Sequence, residues 1–275
     1  MKNKLPPIVC ILLVFSLIVI SGCSSNRNLV IRFPKIGSAD AFLLYTNQFS
    51  AMIDTGEKDD AEELLTKLKN MGIDRLDVLI LTHFDKDHIG SAVPIIQAFS
   101  PKKVYLPAYE GSSKLYLALM EALQTAGKKT EVYRLKEDIS FSSGRLGISI
   151  SVPGHEAEGS DADNEQSLCV SVTYGETAFL FPGDAMEKRL TELMDGPCSC
   201  TLLKVPHHGK YNSKTADFLS AASPVYAIIP DSDKNPADKE TLKALTDIGV
   251  EIFETRHGDI RAVSDGKTVS VFRES

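Results

Sequence analysis

The chain has 275 residues, of which 43% are hydrophobic and 24% are charged, and its formal net charge is -7. This composition is that of an ordinary folded globular protein and excludes an intrinsically disordered chain. The negative charge disfavours broad electrostatic adhesion to nucleic acid or to an anionic membrane surface, although it leaves room for a local basic groove.

The amino terminus has the features of a lipoprotein signal peptide. Lys2 and Lys4 precede an apolar run over residues 7–20, which is short for a membrane span. The run leads into Ile20-Ser21-Gly22-Cys23, which resembles the bacterial lipobox and implies cleavage after residue 22 and lipidation of Cys23. The alternative is an uncleaved anchor helix. Both interpretations place residues 23–275, predicted to be one domain, outside the cytoplasm on the bacterial cell membrane.

Strand and helix patterns follow in an order that indicates two sheets. Apolar runs bounded by turn residues predict strands, and apolar residues at helical spacing amid charges predict helices. The predicted strands are residues 29–33, 41–45, 51–53, 76–81, 103–106, 146–152, 167–174, 178–181 and 201–205, and the predicted helices are residues 61–70, 91–99, 114–125 and 185–194. Further β/α alternation is predicted after residue 205, and exposed polar loops are predicted over residues 155–165 and 231–238. Two β-rich halves, each followed by helices, favour an α/β protein built as an αββα sandwich of two mixed β-sheets flanked by helices.

The most informative segment runs from His83 to His88 and follows a buried strand. His83, Asp85, Asp87 and His88 offer four ionisable side chains within six residues. Imidazole nitrogens and carboxylate oxygens are suitable ligands for zinc, and also for manganese or iron. A lone histidine or aspartate is more often a core residue or a turn former, but that interpretation is weak for a cluster of this density.

Further candidate ligands follow other apolar strands. They are Asp54 in Asp54-Thr55-Gly56, Asp184 in Pro182-Gly183-Asp184, and the pair His207-His208 before Gly209. The whole set resembles the metallo-β-lactamase superfamily, whose signature is His-x-His-x-Asp-His with a downstream Asp and a last His. More narrowly, it resembles the ComEC-like competence proteins in the motifs Ile36-Gly37-Ser38-Ala39-Asp40-Ala41, Asp54-Thr55-Gly56, His83-x-Asp85-x-Asp87-His88, Asn164-x-x-Ser167-Leu168, Gly183-Asp184 and Val205-Pro206-His207-His208-Gly209.

The resemblance implies a centre of two divalent metal ions, with zinc favoured and manganese or iron as alternatives. His83 and Asp85 would hold one ion, whereas Asp87, His88 and His208 would hold the other, and Asp184 would bridge them. Asp85 stands where the wider superfamily has a second histidine, so the first ion should have the more oxygen-rich surroundings. His155 is the one candidate for its third ligand, and a solvated histidine is the more common alternative.

Other residues receive supporting roles. Asp87 and His207 are the predicted catalytic residues, although His207 and His208 could exchange roles. Asp54 is predicted to orient a ligand histidine, with a turn former as an equal alternative. Lys210 and Ser213 are predicted to contact substrate. Asp40 and His257 are interpreted as structural.

The function that this pattern predicts is hydrolysis by a metal-activated water. The predicted substrate is a phosphodiester, either DNA or a cell-surface polymer, because Asp85 disfavours β-lactam chemistry. The main alternative is a catalytically weak lipoprotein of the same fold that binds DNA or a wall polymer, with the membrane engaged through the lipid anchor.

Overall fold

The computed structural model describes residues 28–156 and 162–274. The predicted signal peptide, residues 1–22, and the predicted lipidation site, Cys23, lie outside the described residues. The described strands are β1 (Leu29–Phe33), β2 (Phe42–Tyr45), β3 (Ser50–Ile53), β4 (Val78–Ile80), β5 (Lys103–Pro107), β6 (Glu131–Leu135), β7 (Ile139–Ser143), β8 (Leu146–Ser151), β9 (Cys169–Tyr174), β10 (Thr177–Phe181), β11 (Leu202–Lys204), β12 (Tyr226–Ile229), β13 (Glu251–Glu254), β14 (Ile260–Ser264) and β15 (Val269–Arg273). The described α-helices are α1 (Ala61–Asn70), α2 (Lys86–Ile89), α3 (Ala92–Phe99), α4 (Lys114–Ala126), α5 (Ala162–Glu165), α6 (Glu187–Met194), α7 (Thr215–Ala222) and α8 (Lys239–Asp247).

The strands form two mixed sheets. The first has the order β15-β14-β1-β2-β3-β4-β5-β6 and the second has the order β13-β12-β11-β10-β9-β8-β7. Strands β3 to β6 and strands β10 to β13 pair in parallel, whereas the other neighbours are antiparallel. Parallel neighbours need crossover connections, and helices lie in each of these connections. The predicted sandwich of two mixed sheets flanked by helices is confirmed.

The sheets pack face to face around an apolar core. Residues of β1 alternate between buried and half-buried positions, as expected when one face of a strand points into a core. Phe33, Phe42 and Phe181 meet between the sheets, with the ring centroids of Phe33 and Phe42 5.2 Å apart and those of Phe42 and Phe181 5.6 Å apart. Two further apolar clusters fill the space between each sheet and its helices.

Several boundaries differ from the sequence predictions for physical reasons. Strands β6 and β7 are not predicted, because each lies at one edge of its sheet and has mostly exposed or half-buried residues. The helix predicted over residues 185–194 begins instead at Glu187. The polar segment over residues 155–165, which is predicted to be a loop, contains the short helix α5. Within the described ranges, no helix has the length and hydropathy of a membrane span.

Candidate metal centre

The candidate ligands gather where strands of both sheets end. His83 lies just beyond β4 of the first sheet, whereas Asp184 follows β10 and His208 follows β11 of the second sheet. A backbone hydrogen bond from the Leu168 N–H to the Thr82 carbonyl, with N and O 2.9 Å apart, ties the two sheets together at this point. Side chains that are far apart in sequence therefore converge at one edge of the sandwich.

Four side chains form a compact cluster of metal-type donors. One donor atom from each of Asp87, His88, Asp184 and His208 lies within 4.8 Å of the other three. Asp184 Oδ2 is 3.3 Å from His88 Nε2 and 3.2 Å from His208 Nε2, and Asp87 Oδ2 is 3.4 Å from His208 Nε2. Both Nε2 atoms are buried and have no hydrogen-bond partner. Buried polar atoms are normally satisfied, so these atoms fit a divalent cation held by two imidazoles and two carboxylates.

His88 is oriented from behind by Asp54. Asp54 is fully buried, and its Oδ2 lies 2.8 Å from His88 Nδ1. The same carboxylate accepts hydrogen bonds from the Thr82 N–H at 2.8 Å and from the Thr82 hydroxyl at 2.7 Å. This arrangement leaves Nε2 of His88 free to face the cluster. A carboxylate that accepts the other ring N–H is a common support for a metal-ligating histidine.

A buried lysine and a buried aspartate lie behind Asp184 and His208. Lys204 Nζ is 3.0 Å from Asp184 Oδ1, 2.5 Å from Asp40 Oδ2 and 2.9 Å from the Gly183 carbonyl oxygen. His208 Nδ1 donates to the Pro230 carbonyl at 2.9 Å and lies 3.5 Å from Asp40 Oδ1. Asp40, interpreted from sequence as structural, therefore contacts the centre, as does Lys204, for which the sequence predicts no role.

The charges of this network stabilise one another. Burial disfavours the charged form of His208, but the Asp184 and Asp40 carboxylates outweigh it and raise the pKa of His208 to about 9. The pKa of His88 is raised well above its ordinary value against the same burial effect, by Asp184, Asp54 and Asp40. Burial alone would raise the pKa of Asp184, yet His208, Lys204 and His88 hold it well below its ordinary value. Because metal ligation needs neutral imidazoles, cation binding would release protons here.

His83 and Asp85 lie beside the four-residue cluster. His83 is fully buried, its ring centroid is 3.9 Å from that of His88, and its Nε2 lacks a hydrogen-bond partner. Asp85 Oδ2 is 3.7 Å from His83 Nε2. Among the described residues, this pair does not belong to a group of three donors within 4.8 Å of one another.

The two adjacent histidines of the last motif have different surroundings. His207 and His208 both adopt left-handed backbone conformations, with φ of 46° and 53°. His207 Nδ1 lies 2.9 Å from Met186 Sδ, and its Nε2 is 4.0 Å from Asp184 Oδ2. Burial lowers the pKa of His207 to about 4 although the Asp184 carboxylate opposes this. The donor cluster includes His208 and not His207.

The remaining candidates lie around this centre or away from it. His155 Nδ1 is 2.6 Å from Glu192 Oε1, so this histidine is held against α6. Lys210 is exposed and lies two residues beyond His208. The Ser213 hydroxyl donates to Glu187 Oε1 at 2.9 Å.

Comparisons with known proteins agree with the fold. A family model described as the metallo-beta-lactamase superfamily matches residues 35–230, which is more than half of the chain. The chain belongs to the metallo-β-lactamase superfamily. Its helix-flanked sandwich is shared with the metallo-β-lactamase fold protein YhfI of Bacillus subtilis, with a TM-score of 0.55 at 15% identity, covering 89% of this chain and 100% of that one.

Two curated relatives of this superfamily member have names that refer to the ComE operon or to competence. ComE operon protein 3 of Bacillus subtilis (strain 168) is 28% identical over 180 residues, which are 62% of this chain and 22% of that protein. Competence protein ComA of Neisseria gonorrhoeae is 28% identical over 203 residues, which are 70% of this chain and 25% of that protein. The chain therefore spans about a quarter of the length of these relatives. The resemblance to ComEC-like competence proteins, predicted from the motifs, is confirmed.

Proposed function

We propose that this chain is a metal-dependent hydrolase that uses a metal-activated water to cleave a phosphodiester. The observation that carries the proposal is the pair of buried, unpartnered Nε2 atoms of His88 and His208, which face the Asp87 and Asp184 carboxylates. Two imidazoles and two carboxylates are suitable for Zn²⁺, and Mn²⁺ or Fe²⁺ are the alternatives. His83 and Asp85 would contribute to a second ion nearby.

Bound metal would supply a water of near-neutral pKa and would stabilise charge on the attacked phosphoryl group. The protein side chains would then accept and donate the protons of the reaction. Burial tends to raise the pKa of Asp87, but the nearby charges of His208 and His88 outweigh it and hold the pKa well below its ordinary value. Asp87 is therefore an ionised carboxylate that can accept a proton at the edge of the centre.

His207 is proposed to contact the reacting group rather than a metal. Its lowered pKa keeps the ring neutral near pH 7, and Nδ1 faces Met186 Sδ. With the proton on Nε2, the ring can donate a hydrogen bond to a phosphoryl or leaving-group oxygen. The exposed Lys210 next to this turn would add a positive charge for a phosphate.

The substrate class rests on two arguments. The curated relatives include a competence protein, which favours DNA as the phosphodiester. The net charge of -7 disfavours extended nucleic-acid binding, so a short contact near Lys210 and Ser213, or a cell-surface polymer as the substrate, fits the charge better. Both substrates are phosphodiesters and need the same metal chemistry.

The proposed location is the outer face of a bacterial membrane, with the chain anchored through lipid on Cys23. This rests on the lipobox-like sequence Ile20-Ser21-Gly22-Cys23. A bacterial culture fed a radiolabelled fatty acid should label the wild-type chain and should not label Cys23→Ala. A control variant Cys200→Ala should be labelled like the wild type. Labelling of Cys23→Ala would contradict the anchor.

The catalytic proposal is tested on the purified full chain. Metal content is measured first, and bis-p-nitrophenyl phosphate, single-stranded DNA and a chromogenic cephalosporin are then assayed. We expect bound metal and cleavage of a phosphodiester substrate, both lost in His88→Ala and retained in His257→Ala, which changes a half-exposed histidine. A chain without bound metal would overturn the proposal, and so would cleavage of the cephalosporin alone. Metal-dependent capture of DNA without cleavage would favour the binding lipoprotein.

A further inference from the structure

One face of the first sheet is open to solvent beside β1. Strands β1, β14 and β15 lie at this end of the sheet. Because side chains alternate along a strand, the residues that point away from the core are Val30 and Arg32 in β1, Arg261 and Val263 in β14, and Ser270 and Phe272 in β15. Within the described ranges, none of these six side chains belongs to an apolar cluster of the core. We call this surface the open face.

The open face combines apolar and cationic side chains along a shallow groove. The groove has a volume of about 420 Å³, and its lining includes Val30, Val263 and Phe272. Phe272 is 45% exposed, and the Arg261 guanidinium lies over its ring, 5.2 Å from the centroid. Exposed aromatic and arginine side chains that lie together are typical of surfaces that contact a partner.

The open face is locally basic, although the chain as a whole is acidic. The charged side chains of residues 29–33 and 260–274 are four cations, Arg32, Arg261, Lys267 and Arg273, and two acids, Asp265 and Glu274. The whole chain, in contrast, has 30 Lys and Arg residues against 37 Asp and Glu residues. Glu274 pairs with both Arg32 and Arg261, whereas Lys267 and Arg273 are exposed. This local excess of positive charge complements an anionic lipid surface.

The open face also lies next to the proposed lipid anchor. Asn28, the first described residue, lines the groove, and four residues separate it from Cys23. An extended chain advances at most about 3.6 Å per residue, so Cys23 and Asn28 lie no more than about 18 Å apart. A lipid on Cys23 would therefore keep the open face close to the bilayer surface, and an anchor with a basic patch binds a membrane more firmly than either alone.

We infer that the open face lies against an anionic bilayer, with the Phe272 ring in the interfacial layer and the arginines of the face near lipid phosphates. This inference rests on the proposed lipid anchor and is independent of hydrolysis. Arginine can cover apolar surface with its stem while its charge stays in the polar layer. Strands β1, β14 and β15 would then run along the membrane surface, and the edge of the sandwich that carries the metal centre would open to the side.

Tryptophan fluorescence tests this orientation, because the chain has no tryptophan of its own. The chain is extracted with its anchor from bacterial membranes and reconstituted into vesicles of equal parts phosphatidylcholine and phosphatidylglycerol, with or without brominated acyl chains. Brominated lipid should reduce the emission of Phe272→Trp, and less so when phosphatidylglycerol is omitted. The matched control is Leu117→Trp on α4, which is 60% exposed, has the same anchor and should keep its emission.

The outcomes separate this inference from the proposed function. Equal losses of emission in the two variants, or no loss in either, would overturn the open face as the membrane contact while leaving the anchor and the hydrolase intact. Emission of Phe272→Trp that is shielded from aqueous iodide but unaffected by brominated lipid would overturn it in favour of a second copy of the chain. Quenching that does not depend on phosphatidylglycerol would overturn the contribution of the cationic side chains.

Two further results are also decisive. If fatty-acid labelling of the wild-type chain fails, the anchor and this inference fail together, whereas the metal and phosphodiester assays still decide the hydrolase. If Phe272→Trp does not fold, Ser270→Trp takes its place, because Ser270 is exposed on the same face. Its emission should then be reduced by brominated lipid, and unchanged emission would overturn the inference.

Discussion

Lys204 Nζ lies 3.0 Å from Asp184 Oδ1, which leaves only Oδ2 of that carboxylate to face His88 and His208. The ammonium group also contacts Asp40 Oδ2 at 2.5 Å, and all three side chains are buried. Asp184 would therefore have one oxygen, Oδ2, available to help hold a metal ion. Lys204 thus determines that Oδ2 of Asp184 faces the two histidines, and its positive charge compensates the buried carboxylates of Asp40 and Asp184.

Replacing Lys204 by methionine should be strongly destabilising. The substitution keeps most of the side-chain volume but removes the buried ammonium group that pairs with Asp40 and Asp184. Removing one partner of a buried ion pair typically costs about 3–5 kcal/mol. Urea unfolding of metal-free protein measures the loss. Added metal should recover part of it, because the cation restores positive charge next to Asp184.

Lys243→Met is the matched control for Lys204→Met. Lys243 pairs with Asp247 at 2.5 Å, but both side chains are more than half exposed. Its removal should therefore change the free energy of unfolding by no more than about 1 kcal/mol. Equal losses in the two variants would show that the Lys204 contacts do not stabilise the centre.

Asp54→Asn should weaken metal binding without removing a ligand. The amide oxygen can still accept the hydrogen bond from the Thr82 N–H, but the amide then places an NH₂ group where Oδ2 lies 2.8 Å from His88 Nδ1. Loss of such a support typically lowers metal affinity about 10- to 100-fold. Competition with a chelating dye measures the dissociation constant. An affinity equal to that of the wild type would leave Asp54 as a turn former only.

Substitutions at the two adjacent histidines should affect metal binding and catalytic turnover separately. His208→Ala removes a donor of the four-residue cluster and should abolish metal retention at that position. His207→Ala should retain metal but lower kcat by about 10²- to 10⁴-fold, the range typical of a group that handles a proton in the transition state. Calorimetric metal titrations and steady-state kinetics on both variants check this. The reverse pattern would exchange the roles of the two residues.

A pH effect on stability is expected from Asp60, away from the metal centre. Burial raises the pKa of Asp60 to about 6, and its carboxylate accepts a hydrogen bond from the Glu57 N–H at 2.7 Å. A raised folded-state pKa contributes stability that is complete below the unfolded value of 3.8 and is lost as the pH rises through about 6. The side chain of Asp60→Asn does not titrate in this range, so the variant should not lose this stability as the pH rises.

The stability of Asp60→Asn relative to the wild type should therefore rise between pH 4.5 and pH 7.5, a range of about three pH units chosen to bracket the raised pKa. Urea unfolding at the two pH values measures the difference. Asp74→Asn, at an exposed site, serves as the control and should show no comparable trend. A difference that is independent of pH would contradict the raised pKa of Asp60.

The sequence predicts the sandwich and the main candidate ligands because both depend on patterns of residues that are adjacent in the chain. An apolar run that leads into His83, or into Gly183-Asp184, predicts both a strand and the candidate metal ligand that follows it. The edge strands β6 and β7 escape prediction because a strand at the edge of a sheet can expose most of its residues.

The residues that sequence reasoning missed act through contacts between distant segments. Asp40 is surrounded by small residues, and Lys204 follows two leucines in β11, so neither has a neighbour in sequence that explains its burial. A lysine within an apolar strand is the one available signal, since lysine is almost never fully buried unless it is paired. Its partners become identifiable only when the two sheets are brought together.

Three of the five described non-glycine residues with left-handed backbone conformations, namely Asp54, His207 and His208, lie at the candidate centre. Each such residue costs of order 1–3 kcal/mol, which the surrounding structure must offset. The backbone conformations that orient these three side chains therefore reduce the stability of the folded chain. A library of this protein screened only for heat resistance would be expected to accumulate glycine at these positions and to lose the metal centre before it lost the fold.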